Sequence, residues 1–220
     1  MTRVALVGCG GLGVPAAWTL ALGGQRAFRL IDADVVEESN LHRQVLYTTP
    51  DIGLLKAARL AEFLRAHFGA DVQTAATRLD AANAEALLDG CAAVLEGSDD
   101  ALAKFAVNDW AVAQPRRRTA VIAAAIGRRG QWFAVTPESS CYRCLFEAPP
   151  PPESLSTCAV AGVLGPVTGQ VGGYAARALL HALAGQPDAA VGALVRFSPR
   201  GLLRTPVAVA ADCLCQLHAC

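Results

Sequence analysis

The feature that most constrains this chain is a glycine-rich turn close to its N-terminus. The apolar residues 4–7 lead into this turn, and residues 14–22 that follow it have a helix-compatible composition. Its glycines are Gly8, Gly10, Gly11 and Gly13. Because glycine lets a backbone approach a ligand closely and a helix N-terminus attracts anions, we expect a phosphate-bearing ligand here. The segment therefore predicts the opening strand, turn and helix of a nucleotide-binding α/β fold.

The residues after this unit narrow the class of nucleotide. Residues 27–31 predict a parallel strand, and Asp32 follows it in position to accept hydrogen bonds from ribose hydroxyls. The same pattern also fits an NAD-dependent oxidoreductase. Arg43 and Lys56, however, both reach the pocket if the intervening segment folds back over it. Two cations suit a triphosphate better than a nicotinamide, so we expect a nucleoside triphosphate.

Later segments continue the alternation of strands and helices. Residues 51–68 have the apolar rhythm of a helix, and Asp99 follows a buried strand at residues 92–95. A carboxylate at the end of a parallel strand lies in the ligand crevice, so Asp99 is a candidate magnesium ligand. Ser98 and Asp99 could also cap the helix expected over residues 102–112, and such capping could coexist with metal binding. Further strands are expected at residues 72–76, 119–124, 194–197 and 202–209, the last two antiparallel, and further helices at residues 81–88 and 167–184.

Length and charge exclude several classes of protein. With 220 residues the chain fits one α/β domain spanning residues 1–220. Its 19 basic and 19 acidic residues give zero formal charge, which argues against nucleic acid or a membrane surface as a partner. No apolar run approaches the ~20 residues of a membrane-spanning helix. Because the first strand starts so close to Met1 that a signal peptide has no room, we expect a cytoplasmic protein.

The cysteines indicate a metal site. Cys141 and Cys144 have the two-residue spacing that lets two thiolates bind one tetrahedral ion, and a second pair near the C-terminus could complete a four-thiolate zinc site. We expect the second pair to be Cys213 and Cys215, although their closer spacing leaves His218 and Cys220 open as substitutes. Such a site would be structural and would tie the tail, residues 210–220, back to the domain. The alternatives are a redox pair and free thiols. Two other cysteines, Cys9 and Cys91, lie in apolar segments and are expected to be small core residues.

A proline-rich segment predicts an exposed crossover loop around residues 148–157, because successive prolines exclude a regular helix or a central strand. Cys158 follows this loop, and Gly162 and Gly165 come shortly after it. Packing beside these glycines is the structural interpretation of Cys158. The alternative interpretation is a reactive Cys158 thiolate, whose pKa would be lowered by a nearby helix N-terminus.

Taken together, these motifs resemble the ThiF/MoeB/HesA family, the bacterial relatives of ubiquitin-activating enzymes. The resemblance covers nearly the whole chain in one order, and its motifs are GCGGLG at residues 8–13, DADVVEESNLHRQ at 32–44, Lys56, GSDD at 97–100, CYRC at 141–144 and CAVAGVLGPVTG at 158–169. It implies a Rossmann-like, mostly parallel sheet with helices on both faces and antiparallel strands added toward the C-terminus.

The resemblance also implies an activity, namely ATP-dependent adenylation of the C-terminal glycine of a small ubiquitin-like sulfur-carrier protein. In that activity Arg43, Lys56 and magnesium at Asp99 would act on the triphosphate, Asn40 would orient a phosphate, and Cys158 would be the acceptor cysteine. The implied cofactors are ATP, Mg²⁺ and Zn²⁺. The implied partners are a β-grasp carrier ending in Gly-Gly, a second copy in a homodimer, and a sulfurtransferase or cysteine desulfurase.

The chain departs from the family pattern at three places. Asp100 stands where asparagine is usual, and Cys213 and Cys215 are one residue closer than the usual pair. The usual N-terminal helix with an arginine is not present before the first strand, so we expect slow turnover, an arginine from elsewhere or a different dimer. Besides the oxidoreductase, which leaves Arg43 and Lys56 unexplained, a non-catalytic scaffold that binds a ubiquitin-like protein is a further alternative.

Overall fold

The computed structural model describes residues 2–113, 118–151, 162–186, 188–213 and 215, and all statements below refer to them. The strands are β1 (Arg3–Val7), β2 (Ala27–Ile31), β3 (Asp71–Ala75), β4 (Cys91–Glu96), β5 (Thr119–Ile126), β6 (Arg129–Val135), β7 (Ala193–Ser198) and β8 (Gly201–Pro206). The helices are α1 (Gly13–Leu22), α2 (Lys56–Phe68), α3 (Ala84–Leu88), α4 (Ala101–Val112) and α5 (Gly165–Leu183). Short 3₁₀ turns are formed by Glu38–Asn40, Thr49–Asp51 and Tyr142–Cys144.

The strands form one sheet in the order β3-β2-β1-β4-β5-β6-β7-β8. Neighbours from β3 to β5 are parallel, whereas β5 to β8 pair antiparallel. The chain therefore moves from β1 outward to β3 and then crosses back to β4, so that the strand order reverses between β1 and β4. In open α/β sheets a reversal of this kind leaves a crevice at the carboxyl ends of the strands, where ligands bind. The predicted fold class is confirmed.

Helices cover both faces of the sheet. Within β1, Val4 and Leu6 belong to the core beneath α1, α2 and α5, while Ala5 and Val7 belong to the core beneath α3 and α4. Successive strand residues point to opposite faces, and here both faces are buried. This explains why the central strands are apolar at nearly every position rather than at alternate ones.

The boundaries of several elements differ from those expected. The helix expected over residues 51–68 begins only at Lys56, because Thr49–Asp51 form a 3₁₀ turn in which Thr48 and Asp51 make a capping box. The helix expected over residues 81–88 begins at Ala84, since the carboxylate of Asp80 accepts the backbone N–H groups of the preceding turn. The last strand ends at Pro206 instead of residue 209.

Some sequence-based expectations fall outside the described chain. Cys158, His218 and Cys220 lie there, as does most of the expected crossover loop, of which residues 148–151 are described. Among the helices that the structure describes, none is long and apolar enough to cross a membrane.

Candidate active site

A large cleft opens at the carboxyl ends of β1, β2 and β4 and continues across the antiparallel strands. Its volume is about 1360 Å³. One half is lined by the glycine-rich turn, by the residues that follow β2 and β4, and by the segment before α2. The other half is lined by residues of β5 to β8. The reversal of strand order lies in the first half, as expected for a nucleotide site.

The glycine-rich turn is packed too closely for side chains at two positions. Gly8 has φ +88°, and a Cβ there would lie 2.8 Å from the backbone nitrogen of Ser98, so glycine allows the turns after β1 and β4 to meet. At Gly13 a Cβ would lie 1.8 Å from the carbonyl oxygen of Gly8. Gly8, Gly10 and Gly11 line the cleft, whereas Gly13 lies within the turn itself.

The N-terminus of α1 faces the cleft and is suited to an anion. Leu12 occupies the capping position, and within the described chain no side chain caps this helix end. The first turn also holds no acidic residue. The N–H of Val14 donates to the carbonyl oxygen of Gly10 and Pro15 has no N–H, so it is mainly the positive end of the helix dipole that favours a negatively charged ligand here.

Asp32 lies at the end of β2, where its carboxylate organises the neighbouring backbone. One oxygen accepts the N–H of Cys9 at 2.6 Å and the other accepts the N–H of Asp34 at 2.7 Å. Burial raises the pKa of Asp32 above its ordinary value, while the two N–H donors act in the opposite direction. The carboxylate lines the cleft with lone pairs in excess of these two bonds, so it can still accept hydrogen bonds from a ligand.

Cys9 and Tyr47 connect the glycine-rich turn to α2. Cys9 is fully buried, and burial next to Asp32 raises the pKa of its thiol well above the usual value. The hydroxyl of Tyr47 donates to the carbonyl oxygens of Cys9 at 2.6 Å and Lys56 at 3.2 Å. The expectation that Cys9 is a small core residue is confirmed. The role of Tyr47 was not apparent from the sequence, because it depends on a contact across 38 residues.

Lys56 is the first residue of α2, and its side chain enters the cleft. It is 6% exposed, and its ammonium lies 3.1 Å from a carboxylate oxygen of Asp34, itself about half exposed. The backbone N–H of Lys56 also donates to the carbonyl oxygen of Asp34. This double connection holds the ammonium at the edge of the site and leaves two of its three N–H donors for other partners.

Arg43 is held by the turn that precedes it. Its guanidinium donates to the side-chain oxygen of Asn40, whose amide nitrogen in turn donates to Glu37 at 3.0 Å. Asn40 is buried, and both Asn40 and Arg43 line the cleft. The beginning of α5 packs against this turn, since a Cβ at Gly165 would lie 2.8 Å from the carbonyl oxygen of His42. Arg43 and Lys56 thus face the same cleft, as the sequence predicted.

Gln44 is a cleft residue to which the sequence analysis gave no role. It is 3% exposed, and its side-chain oxygen has no hydrogen-bond partner among the described residues. Its amide nitrogen lies 3.3 Å from the place where a Cβ at Gly10 would be. The buried amide of Gln44 thus lies beside the glycine-rich turn with an oxygen that can accept one more hydrogen bond. In the sequence, the sign that Gln44 lies at the site was its position as the last residue of the motif at residues 32–44.

The turn after β4 carries Asp99, which is exposed and lines the cleft. Asp100, not Ser98 or Asp99, caps α4, because its carboxylate accepts the N–H of Leu102 at 2.8 Å. The capping alternative for Asp99 was therefore wrong. Asp100, which stands where asparagine is usual, is thus the capping residue, and the carboxylate of Asp99 does not cap α4.

A buried ion pair that the sequence did not predict supports the turn after β4. Glu96 is fully buried and binds the ammonium of Lys104, which donates as well to the carbonyl oxygens of Ser98 at 2.7 Å and Ala123 at 2.9 Å. Glu96 accepts the N–H of Ser98 at 2.8 Å. Burial raises the pKa of Glu96, whereas Lys104 acts to lower it. The pair thus fixes the backbone of Ser98, directly before Asp99.

The four cysteines chosen from the sequence lie together outside the cleft. The sulfur atoms of Cys141, Cys144, Cys213 and Cys215 are all within 4.8 Å of one another. Three of the sulfur–sulfur distances are 3.4, 3.5 and 3.8 Å. Tetrahedral zinc with Zn–S bonds of about 2.3 Å requires about 3.8 Å between sulfurs, so the cluster fits one zinc ion. The close spacing of Cys213 and Cys215 is compatible with this geometry.

Comparisons with known proteins agree with this architecture. The model of the ThiF family matches residues 1–217. The adenylyltransferase and sulfurtransferase MOCS3 of Drosophila grimshawi is 37% identical over 198 residues, which are 89% of this chain and 44% of the relative. The adenylyltransferase and sulfurtransferase UBA4 of Vanderwaltozyma polyspora is 38% identical over 176 residues, 78% of this chain and 39% of the relative. The chain thus spans less than half the length of these curated relatives.

A solved structure has a similar fold. The crystal structure of E. coli MccB with ATP superposes with a TM-score of 0.82 at 18% sequence identity, covering 97% of this chain and 66% of MccB. At this identity the likeness concerns the fold alone.

Proposed function

Because the chain belongs to the ThiF family, we propose that it is an adenylyltransferase that activates the C-terminal glycine of a ubiquitin-like sulfur-carrier protein with ATP. The observation that carries the proposal is the convergence of Arg43, Lys56 and the N-terminus of α1 on one cleft. Two cations and a helix dipole favour a polyphosphate at this position. The relatives in the comparison are named adenylyltransferases, which supports the same activity.

The residues of the cleft fit ATP. The turn at Gly8, Gly10 and Gly11 provides a backbone surface without side chains, and Asp32 has accepting capacity left for ribose hydroxyls. The unpaired oxygen of buried Gln44 offers an acceptor within the same region. MccB, which has been crystallised with ATP, has a similar fold.

In the proposed reaction, a carboxylate oxygen of the carrier's terminal glycine attacks the α-phosphorus of ATP. A new oxygen–phosphorus bond forms, the bond between the α-phosphorus and the bridging oxygen breaks, and pyrophosphate leaves with the electron pair. Negative charge grows on the phosphate oxygens in the transition state. Arg43 and Lys56 stabilise that charge because they are fixed in advance by Asn40 and Asp34. Asn40, in turn, orients a phosphate through the arginine that it holds.

Magnesium is proposed at Asp99. An exposed carboxylate at the end of a parallel strand is the hard oxygen ligand that Mg²⁺ prefers, and waters and phosphate oxygens would complete its coordination. The ion would supply charge neutralisation to the phosphates. The chain's own contribution is the rigid turn, held by Glu96 and Lys104, that fixes the place of Asp99.

Zinc is proposed at Cys141, Cys144, Cys213 and Cys215. With all four positions filled by protein sulfurs, the ion would be structural and would join the segment after β8 to the segment after β6. The acceptor role of Cys158, the homodimer and a sulfurtransferase or cysteine desulfurase partner stay predictions.

The proposal is tested by ATP–pyrophosphate exchange with a β-grasp carrier that ends in Gly-Gly. We expect exchange that requires Mg²⁺, ATP and the free C-terminal carboxylate, and a carrier lacking the last glycine serves as the control. ATP and NADH binding are measured in parallel by calorimetry. Tight NADH binding without ATP binding would establish the oxidoreductase, and ATP binding without exchange across several carriers would establish the scaffold.

A further inference from the structure

The half of the cleft away from the glycine-rich turn has a wall of arginines. Arg129 begins β6, Arg196 lies near the end of β7, and Arg200 lies in the turn between β7 and β8. We call these three residues the arginine wall. All three are exposed and line the cleft.

Strand register places Arg129 and Arg196 on one face of the sheet. Gln131, two residues after Arg129, pairs directly with Arg196, and Arg196 pairs in turn with Leu203 of β8. Opposed residues in antiparallel strands point to the same face. Further along the same face, Phe133 and Leu194 are buried in the core that contains residues of α4. The arginines therefore stand where this face extends past α4 into the cleft.

The charges in the cleft are segregated. Its acidic lining residues are Asp32, Asp34, Glu37, Asp99 and Asp100, and all of them follow β2 or β4. Lys56 and Lys104 pair with carboxylates, whereas within the described chain no ion pair involves any residue of the arginine wall. The far half of the cleft is thus a cationic surface without its own counter-charges. A cleft lined by one sign of charge concentrates ligands of the opposite sign.

This surface lies beyond the place expected for the phosphates. β6 and β7 are the third and fourth strands from β1, and at about 4.8 Å per strand they are about 14 Å and about 19 Å away from it. An extended peptide covers about 3.4 Å per residue. A peptide whose terminal carboxylate meets the nucleotide near β1 would therefore pass the arginine wall about four to six residues upstream.

We propose that the arginine wall selects carrier proteins with acidic side chains about four to six residues before the C-terminal glycine. This inference rests on the proposed function and adds the charge of the segment that the site accepts. Leu203, more than half exposed and directly beside Arg196, adds an apolar contact for the same segment. The competing occupant of a cationic surface is the phosphate chain of the nucleotide, and the experiment separates the two.

The test uses two N-terminally labelled octapeptides that end in Gly-Gly and carry either Glu-Glu or Gln-Gln at the fifth and sixth positions from the C-terminus. Binding is measured by fluorescence anisotropy in low and high salt, with the full chain and saturating ATP. We expect the wild-type protein to prefer the Glu-Glu peptide by about fivefold to tenfold in low salt and to lose most of that preference in high salt. Arg196→Glu should reduce the preference below about twofold, and Arg129→Glu should act in the same direction.

Arg128→Glu is the matched control, because Arg128 is exposed next to Arg129 but does not line the cleft. It should keep the wild-type preference. Equal binding of both peptides, or no binding of either at about millimolar concentration, overturns the proposal. So does an Arg196→Glu variant that binds ATP at least tenfold more weakly while it keeps the peptide preference, since the wall would then be a phosphate site.

Failure of the proposed function gives a different result. If the wild-type protein distinguishes the peptides but catalyses no pyrophosphate exchange with any carrier, the arginine wall stands as a peptide-binding surface and adenylation is refuted. If exchange occurs and both peptides bind equally, adenylation stands and the charge selection is refuted.

Discussion

Replacing Lys56 by methionine separates the catalytic from the structural role of the residue. Methionine has a similar length and no charge, so Lys56→Met removes the ammonium while keeping much of the packing at the start of α2. The side chain is 7% exposed, but its partner Asp34 is 53% exposed and would remain solvated. Loss of the ion pair should therefore change the free energy of unfolding by less than about 1 kcal/mol.

The expected effect on catalysis is much larger. A unit charge about 4 Å from a phosphate oxygen, at an effective dielectric constant of about 20, contributes roughly 4 kcal/mol. Removing one preorganised donor to a developing oxyanion in other enzymes costs about 100-fold to 1000-fold in rate. We expect Lys56→Met to lower kcat for pyrophosphate exchange by a factor in that range, with a smaller effect on the Kd for ATP.

Three measurements on Lys56→Met decide the question: pyrophosphate exchange, ATP calorimetry and thermal unfolding. The control is Arg65→Met, which removes a cation from α2, the helix that Lys56 begins, at a position outside the cleft. Lys104→Arg is unsuitable as a control because it would disturb the ion pair with Glu96. Arg65→Met should keep wild-type exchange. A Lys56→Met protein that retains more than about a fifth of the exchange rate would refute the assigned role. So would a variant destabilised by several kcal/mol, since its activity loss would then follow from unfolding.

The remaining predictions concern the turn, the cysteine cluster and acid stability. Gly13→Ala should destabilise the fold by about 1–3 kcal/mol in thermal or urea unfolding, because the new Cβ would lie 1.8 Å from the carbonyl oxygen of Gly8. The control is Gly169→Ala in α5, which should be neutral or stabilising because no atom lies within 4 Å of the new Cβ. Metal analysis should find one zinc ion per chain, and Cys213→Ser should release it and lower Tm, whereas buried Cys91→Ser should keep the zinc. The backbone N–H of Thr48 donates to the carboxylate of Asp51 and lowers its pKa in the folded protein. The ionised carboxylate therefore stabilises the fold above the unfolded-state pKa of about 3.9, and this stabilisation is lost as the pH falls through the lower pKa of the folded state. Asp51→Asn should accordingly be less stable than wild type near pH 7, and equally stable in strong acid, in pH-dependent urea unfolding.

Local patterns in the sequence were sufficient for much of the fold. The strand Ala27–Ile31 was predicted with the observed bounds because an apolar run stands between two glycines and an aspartate. The turn residues could be named because a closely approaching backbone requires glycine. The four cysteines could be chosen from their spacing, although spacing alone could not show that all four sulfurs meet.

Contacts that depend on the assembled sheet could not be predicted. The ion pair between Glu96 and Lys104 forms only when α4 packs over β4, and a lysine in a helix gives no sign of that contact. The cap at Asp100 differs by one residue from the expected cap, which is within the uncertainty of a run of polar residues. The arginine wall depends on the register of β6 and β7, where a shift of one residue would turn Arg196 to the opposite face.

Helix α4 connects the cysteine cluster to the cleft. Near its C-terminal end, the side-chain oxygen of Asn108 accepts the N–H of Tyr142 at 2.7 Å, and Arg143 binds both carboxylate oxygens of Asp109 at 2.6 and 2.8 Å. Near its other end, Lys104 fixes the turn that carries Asp99. Tyr142 and Arg143, the residues between the two cysteines of the first pair, thus contact the C-terminal end of α4. A metal bound by the cysteines would therefore restrain the C-terminal end of α4 through the contacts of Tyr142 and Arg143 with Asn108 and Asp109. A zinc ion at the four cysteines, remote from the reacting atoms, would therefore be linked to the cleft through α4.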